Sequence, residues 1–292
     1  MKMILTGTGT SHGVPVIACN CRVCTSKDPK NWRNRCSAYI HFPARIIIDT
    51  GTDFRFQALK FKIENPDAVL ITHGHADHLN GLDDLRIFSH TKSPDPSNPD
   101  TTQTPGDGLK IFANSKAIRD IKTRFDYIFS PTKEGGSKPK LHLIDVKKFS
   151  KENPIKIKGL SIIPVPLMHG SLETSGWIIK DSENCAAYLT DCNLIPEKSF
   201  EILKSAGKID HLVIDALREK KHSTHFSFLE SLEAADKIGA SHTWFTHLTH
   251  NMSHDEVQAY IDENLKKFPN LEKIVSQGGT VSPGYDGLEL FG

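Results

Sequence analysis

Apolar, β-branched runs recur along the chain and set its rhythm: KMILT (2–6), RIIID (45–49), DAVLIT (67–72), LKIFA (109–113), LSIIPVPL (160–167), GWIIK (176–180), CAAYLT (185–190), HLVIDA (211–216), HTWFT (242–246) and EKIVSQ (272–277). Their length and the turn residues that bound them predict buried strands. Helical patterns lie between several of them. NSKAIRDIKTRF begins at Asn114, a good N-cap, and PEKSFEILKSA begins at Pro196, which suits a first helical turn. FSFLESLEAADKIGA carries apolar residues at helical spacing and stops at Gly239, while Ser253 and Glu256 form a capping-box pattern ahead of another helix. Strands alternating with helices predict an α/β protein. Two polar stretches, 89–108 (SHTKSPDPSNPDTTQTPGDG) and 130–140 (SPTKEGGSKPK), read as long exposed loops. Strand signals resume after each, so neither marks a domain boundary, and no internal repeat is present.

Composition narrows the classes. A chain of 292 residues can build a sizeable core. The formal net charge is +1 and no long basic run occurs, so no electrostatic footprint for a long nucleic acid is expected. No apolar run reaches the ~18 residues of a membrane helix. The opening MKMILTGTGTSHG turns to glycine too soon for a signal peptide, which leads to the expectation of a cytoplasmic protein without a membrane partner. In that compartment the six cysteines stay reduced, and clustered ones read as metal ligands.

Directly after DAVLIT the chain places His73, His75, Asp77 and His78 within six positions. In an extended segment residues i and i+2 share a face, so His73 and His75 can reach one ion. Asp77 and His78 follow in the turn and can reach a second. Imidazole and carboxylate together suit Zn²⁺, Mn²⁺ or Fe²⁺. Further ligand types stand just after other strands: His169, Asp191 and His247. They supply the missing donors, His169 for the first ion, His247 for the second, and Asp191 as a bridge. Asp49 closes RIIID. It is either the acceptor for a ligand histidine's free N–H or an N-cap for the next segment.

THGHADH, IIIDTG, PLMHG, LTDCN and THLTH, in that order over most of the chain, resemble the metallo-β-lactamase superfamily. The resemblance implies one domain over 1–292 with an αββα sandwich: two mixed sheets packed face to face, helices outside, and a binuclear site at one edge holding two divalent ions, Zn²⁺ or Mn²⁺.

Cys19, Cys21 and Cys24 in ACNCRVC have the spacing of a zinc knuckle (about 19–24) and need a fourth ligand, for which Cys36 and His250 are the candidates. GTGTSHGVPVIACNCRVC together with THLTH is similar to the phosphodiesterase group of the carbon–phosphorus lyase pathway. That resemblance implies a structural zinc on Cys19, Cys21, Cys24 and His250, and a small cyclic phosphodiester, such as phosphoribosyl 1,2-cyclic phosphate, opened by a hydroxide held between two metals. It also implies a histidine facing the phosphate at the place of His225, with His222 a competitor and His12 a further residue near the site. On this reading Asp77, Asp191 and His225 carry catalytic roles, and a homodimer is compatible with the likeness. The rivals are a thioesterase or nuclease of the same superfamily and a non-hydrolytic protein like the pyrroloquinoline-quinone biosynthesis B type.

Overall fold

The computed structural model describes residues 1–90, 108–130 and 138–291. Most of the two expected long loops (residues 91–107 and 131–137) lies outside the described residues. Strands β1 (Lys2–Gly7), β2 (Ser37–Phe42), β3 (Ile46–Ile48), β4 (Ala68–Leu70), β5 (Leu109–Ala113) and β6 (Leu141–Asp145) build a first sheet. A second sheet contains β7 (Ile155–Ile157), β8 (Leu160–His169), β9 (Leu172–Lys180), β10 (Cys185–Leu189), β11 (His211–Asp215), β12 (His242–Thr246) and β13 (Thr280–Pro283). The short β14 (Glu289–Leu290) returns to pair with β1, so that each sheet has seven strands. Their orders are β14-β1-β2-β3-β4-β5-β6 and β13-β12-β11-β10-β9-β8-β7.

Both sheets are mixed. β3 to β6 run parallel, as do β10 to β13, while β1–β2–β3 and β7–β8–β9–β10 pair antiparallel. Parallel strands need crossovers, and helices supply them. On the first sheet these are α1 (Phe54–Lys60), α2 (Ala76–Leu79), α3 (Arg86–His90), α4 (Ser115–Arg124) and α5 (Asp126–Phe129). On the second they are α6 (Glu197–Ser205), α7 (Phe228–Ile238), α8 (His254–Asn264) and α9 (Pro269–Ser276).

The layering explains why the apolar runs show so little alternation. Ile46 and Ile48 join Met3, Leu5, Leu70, Trp177, Tyr188 and Val213 in the layer between the sheets. Ile47, between them, points outward to join Val69, Ile111, Leu79 and Ile121 under the helices of the first sheet. All three isoleucines are fully buried, each contributing about 2 kcal/mol, because strands covered on both faces have no solvent side to mark with polar residues.

Two local signals are realised as read. Asn114 caps α4 by accepting from Ala117 N, and Ser253 and Glu256 form a reciprocal capping box on α8. One is not: EKIVSQ (272–277) falls largely in α9, not in a strand. Pro269 starts that helix, and Leu271, Ile274 and Val275, three and four residues apart, pack on the second sheet's outer core. The strand lies just beyond, at β13. Among the described residues no helix is long and apolar enough to cross a membrane.

Candidate metal centre

Strand direction decides where the polar side chains gather. β3, β4 and β5 are parallel, so their C-terminal ends share one edge. β8 and β10 both pair antiparallel with β9 and therefore run the same way, and β11 and β12 continue parallel to β10. Asp49, His73, His169, Asp191, Asp215 and His247 each end or follow one of these strands, so a single edge of the sandwich collects them. Three of them hold left-handed backbone, Asp49 and His247 with φ 61° and Asp191 with φ 54°. Non-glycine residues pay roughly 1–3 kcal/mol for such conformations, which persist where the surroundings over-determine them and often at functional sites.

Two donor groups result. Atoms of His73, His75 and His169 lie within 4.8 Å of one another, as do atoms of Asp77, His78, Asp191 and His247. Asp191 stands between the groups. Its Oδ1 is 3.8 Å from His73 Nε2 and 3.3 Å from His247 Nε2, and its Oδ2 is 3.1 Å from His78 Nε2. Asp77 Oδ2 lies 3.3 Å from His78 Nε2 and 3.7 Å from His247 Nε2. Gly51 lets the loop after β3 sit against this helix start: a Cβ there would stand 1.9 Å from the Asp77 carbonyl oxygen.

The second rank of contacts fixes which ring nitrogen faces inward. Asp49 is fully buried and accepts from Thr72 N at 2.8 Å, Thr72 Oγ1 at 2.7 Å and His78 Nδ1 at 2.7 Å. Its sequence-level alternatives thus resolve toward the histidine partner; the N-cap position of α1 belongs to Asp53. Having donated to Asp49, Thr72 Oγ1 accepts from His73 Nδ1 at 3.1 Å. His169 Nδ1 donates to Thr224 O at 2.7 Å.

With Nδ1 occupied in this way, Nε2 of His73 and His78 turns inward, and Nε2 of His247 lies beside Asp77 and Asp191. All three Nε2 atoms are buried and lack a hydrogen-bond partner. Three such atoms facing buried carboxylates is an arrangement a divalent cation satisfies and water-free protein does not. The donor set therefore fits the two divalent ions that the fold implies.

Electrostatics agree. Burial opposes charge on His78, but Asp191, Asp77 and Asp49 outweigh it and push its pKa well above the ordinary range. Burial raises Asp191, yet His247 and His78 hold it well below the usual carboxylate range. Asp77 behaves likewise, with His78 and His247 overcoming burial. Burial drives His73 and His169 downward, toward the neutral form a ligand must have.

His225 stands against this cluster. Atoms of His169, Asp191 and His225 lie within 4.8 Å of one another, and its ring stacks on His247 with centroids 4.4 Å apart and planes at 17°. Its Nδ1 lies 2.8 Å from Oδ2 of Asp215, a fully buried carboxylate. Burial works against a charged His225, but Asp215 outweighs it and raises the pKa. His222, the competing residue, is exposed, with its ring 5.4 Å from that of His225 and its Nδ1 accepting from Thr224 N. Asp215 was missed in the sequence, although it closes the apolar run HLVID just as Asp49 closes RIIID.

A separate donor set lies at the first loop. The Sγ atoms of Cys19, Cys21 and Cys24 stand 3.4, 3.5 and 3.3 Å from His250 Nδ1. A tetrahedral ion with Zn–S of about 2.3 Å and Zn–N of about 2.0 Å sets that separation at about 3.5 Å. Backbone donation from Cys24 N, partly opposed by burial, lowers the Cys21 thiol to about 6, whereas burial raises Cys24 to about 11. Cys36 is not in this group. It is buried 3.2 Å from Thr246 Oγ1, and burial raises its thiol far above the ordinary range. His12 sits edge-on to His250, ring centroids 5.8 Å apart, beside the knuckle and outside the histidine–aspartate cluster.

Residues 44–248 match the model of the β-lactamase superfamily domain. A solved structure described as a new diphosphatase from the PhnP family is 35% identical, covers 99% of this chain and 96% of its own, and superposes with a TM-score of 0.76. An octanoyltransferase of Porphyromonas gingivalis is 34% identical over 96% of this chain, but the match spans only 52% of that protein's length. A ribonuclease Z of Clostridium kluyveri is 25% identical over 85% of this chain and 92% of its own.

Proposed function

The chain belongs to the β-lactamase superfamily and stands near its PhnP family, and from that premise we propose that it is a metal-dependent phosphodiesterase of small molecules, opening a cyclic ribose phosphate such as phosphoribosyl 1,2-cyclic phosphate. His73, His75 and His169 would hold one divalent ion, Asp77, His78 and His247 the other, with Asp191 between them. Such ions supply Lewis-acid polarisation of a phosphoryl oxygen and a water acidified to near neutral pH. Asp77 and Asp191 stay ionised, so they anchor the centre and orient the attacking water. A structural zinc on Cys19, Cys21, Cys24 and His250 would tie the first loop to the segment carrying His247.

The observation that carries the reading is the Asp215–His225 pair. Asp215 accepts from Nδ1, which leaves Nε2 of a readily protonated imidazole facing the cluster. An acid at that place serves a leaving alkoxide, which needs a proton, far more than a thiolate, which does not. This favours a phosphate ester over a thioester. His225 gives its proton to the departing ribose oxygen, and Asp215 stabilises the cationic ring beforehand.

The diphosphatase described among the similar structures supports a second reading, cleavage of a phosphoanhydride. Octanoyl transfer is not carried over, because the match covers only about half of that relative. The test is phosphorus NMR of the Mn²⁺- or Zn²⁺-loaded protein with a ribose 1,2-cyclic phosphate and, separately, with a nucleoside diphosphate. Ring opening to a monoester is expected. Hydrolysis of the diphosphate alone would favour the second reading, and hydrolysis of neither would refute both.

A further inference from the structure

In the first sheet one buried carboxylate serves two site histidines. Asp49 Oδ2 takes His78 Nδ1 directly and reaches His73 Nδ1 through the Thr72 hydroxyl. The second sheet carries a matching carboxylate at the matching strand end. Asp215 Oδ2 takes His225 Nδ1 at 2.8 Å and Cys192 N at 3.3 Å. Its other oxygen, Oδ1, is buried without a hydrogen-bond partner. His247 Nδ1 is also buried without one, although Nδ1 of His73, His78, His169 and His225 is each engaged. The two residues are neighbours: a carboxylate oxygen of Asp215 and a ring nitrogen of His247 lie within 4.8 Å of each other, in a group with His225. Each buried polar atom left alone costs about 1–3 kcal/mol. One donor and one acceptor in the same cluster remove both penalties together.

We infer that Asp215 is a shared positioning residue, which holds His225 through Oδ2 and, by a direct contact or one bridging water, the Nδ1–H of His247 through Oδ1. His247 is thereby fixed in the tautomer whose Nε2 lone pair faces Asp77 and Asp191. The stack of His225 on His247 keeps the two rings in step. One carboxylate then sets both a donor of the metal centre and the acid that serves the leaving group. This rests on the binuclear reading proposed above.

The test uses the full-length chain and zinc affinity measured by competition with a chromophoric chelator, with circular dichroism to check folding. The variants are Asp215→Asn, His225→Phe and the double variant. Phenylalanine keeps the ring on His247 and removes the bond to Asp215. Asp215→Asn is expected to weaken one of the two ions about 10–100-fold, the usual effect of losing a group that orients a ligand. It should weaken that ion by a similar factor in the His225→Phe background, because the contact to His247 remains there to be lost. If the double variant binds zinc as His225→Phe does, Asp215 acts through His225 alone and the inference is overturned.

A measurement on the unmodified chain guards against a variant that fails to fold. Long-range nitrogen-15 NMR of the zinc-loaded protein should show His247 protonated at Nδ1 and protected from exchange. A freely exchanging Nδ1 proton would overturn the inference as well. Wild-type protein that binds fewer than two ions in the histidine–aspartate cluster would instead refute the binuclear reading, a result distinguishable from either.

Discussion

Replacing Asp49 with asparagine probes the support of the metal centre while changing little else. Asp49 Oδ1 accepts from the Thr72 backbone N–H, and Oδ2 accepts from Thr72 Oγ1 and His78 Nδ1. A backbone N–H cannot reverse its role, so the amide oxygen of asparagine stays on Thr72 N. The NH₂ group then faces Thr72 Oγ1 and His78 Nδ1 and requires both to accept. His78 must move its proton to Nε2, the atom that lies 3.1 Å from Asp191 Oδ2 and 3.3 Å from Asp77 Oδ2. Restoring the ligand tautomer against an opposing donor costs about 1.5–3 kcal/mol, the value of a hydrogen bond to a charged group. That corresponds to roughly 10–100-fold in affinity for the ion proposed for Asp77, His78 and His247. The ion-free fold should lose less, because burial raises the Asp49 pKa and the neutral amide escapes that burial penalty. Chelator competition reads the affinity and thermal melting reads the fold. Wild-type affinity for both ions in a folded Asp49→Asn protein would refute the argument.

Gly51→Ala should reduce stability by about 2 kcal/mol or more and weaken the same ion, since its Cβ would stand 1.9 Å from the Asp77 carbonyl oxygen; melting and metal content together check this. Cys24→Ser should lower bound zinc by one equivalent per chain while the protein stays folded, and unchanged zinc content by elemental analysis would remove Cys24 from the proposed knuckle. Stability should also depend on pH through His211. His211 Nδ1 accepts from Trp244 Nε1 at 3.0 Å, and burial together with His242 lowers its pKa from 6.5 to about 4. Below about pH 6.5 the unfolded chain takes a proton that the folded chain refuses, so stability is lost as pH falls from about 6.5 to about 4. The gap corresponds to about 3 kcal/mol at most, and to about 2 kcal/mol once the ring's partial exposure is allowed for. Denaturant titrations of wild type and His211→Gln should diverge across that window, whereas parallel curves would contradict the assignment.

The sequence made the edge of the sandwich legible because each site residue follows a buried strand, and a polar titratable group in that place has few structural uses. Strand direction, and hence convergence, was not in the pattern; it came with the superfamily likeness and appears in the register of β3–β4 and β10–β11–β12. EKIVSQ misled because a short apolar run fits either a strand or one face of a helix, and Pro269, which decides it, lies upstream of the run. Cys36 was a plausible fourth knuckle ligand by residue type alone. In the structure it stands just before β2 with its Sγ on Thr246 Oγ1, apart from the other thiols. Asp215 gave the same signal as Asp49 but had no neighbouring motif to draw attention to it.

The proposed role of two cations in the histidine–aspartate cluster is tested most directly by stripping the protein with a chelator and returning Zn²⁺ or Mn²⁺ stepwise while recording hydrolysis of bis-p-nitrophenyl phosphate. No turnover is expected in the stripped chain, and the rate should rise until two ions per chain occupy the cluster. Undiminished hydrolysis after thorough chelation, with metal analysis showing the cluster empty, would contradict it.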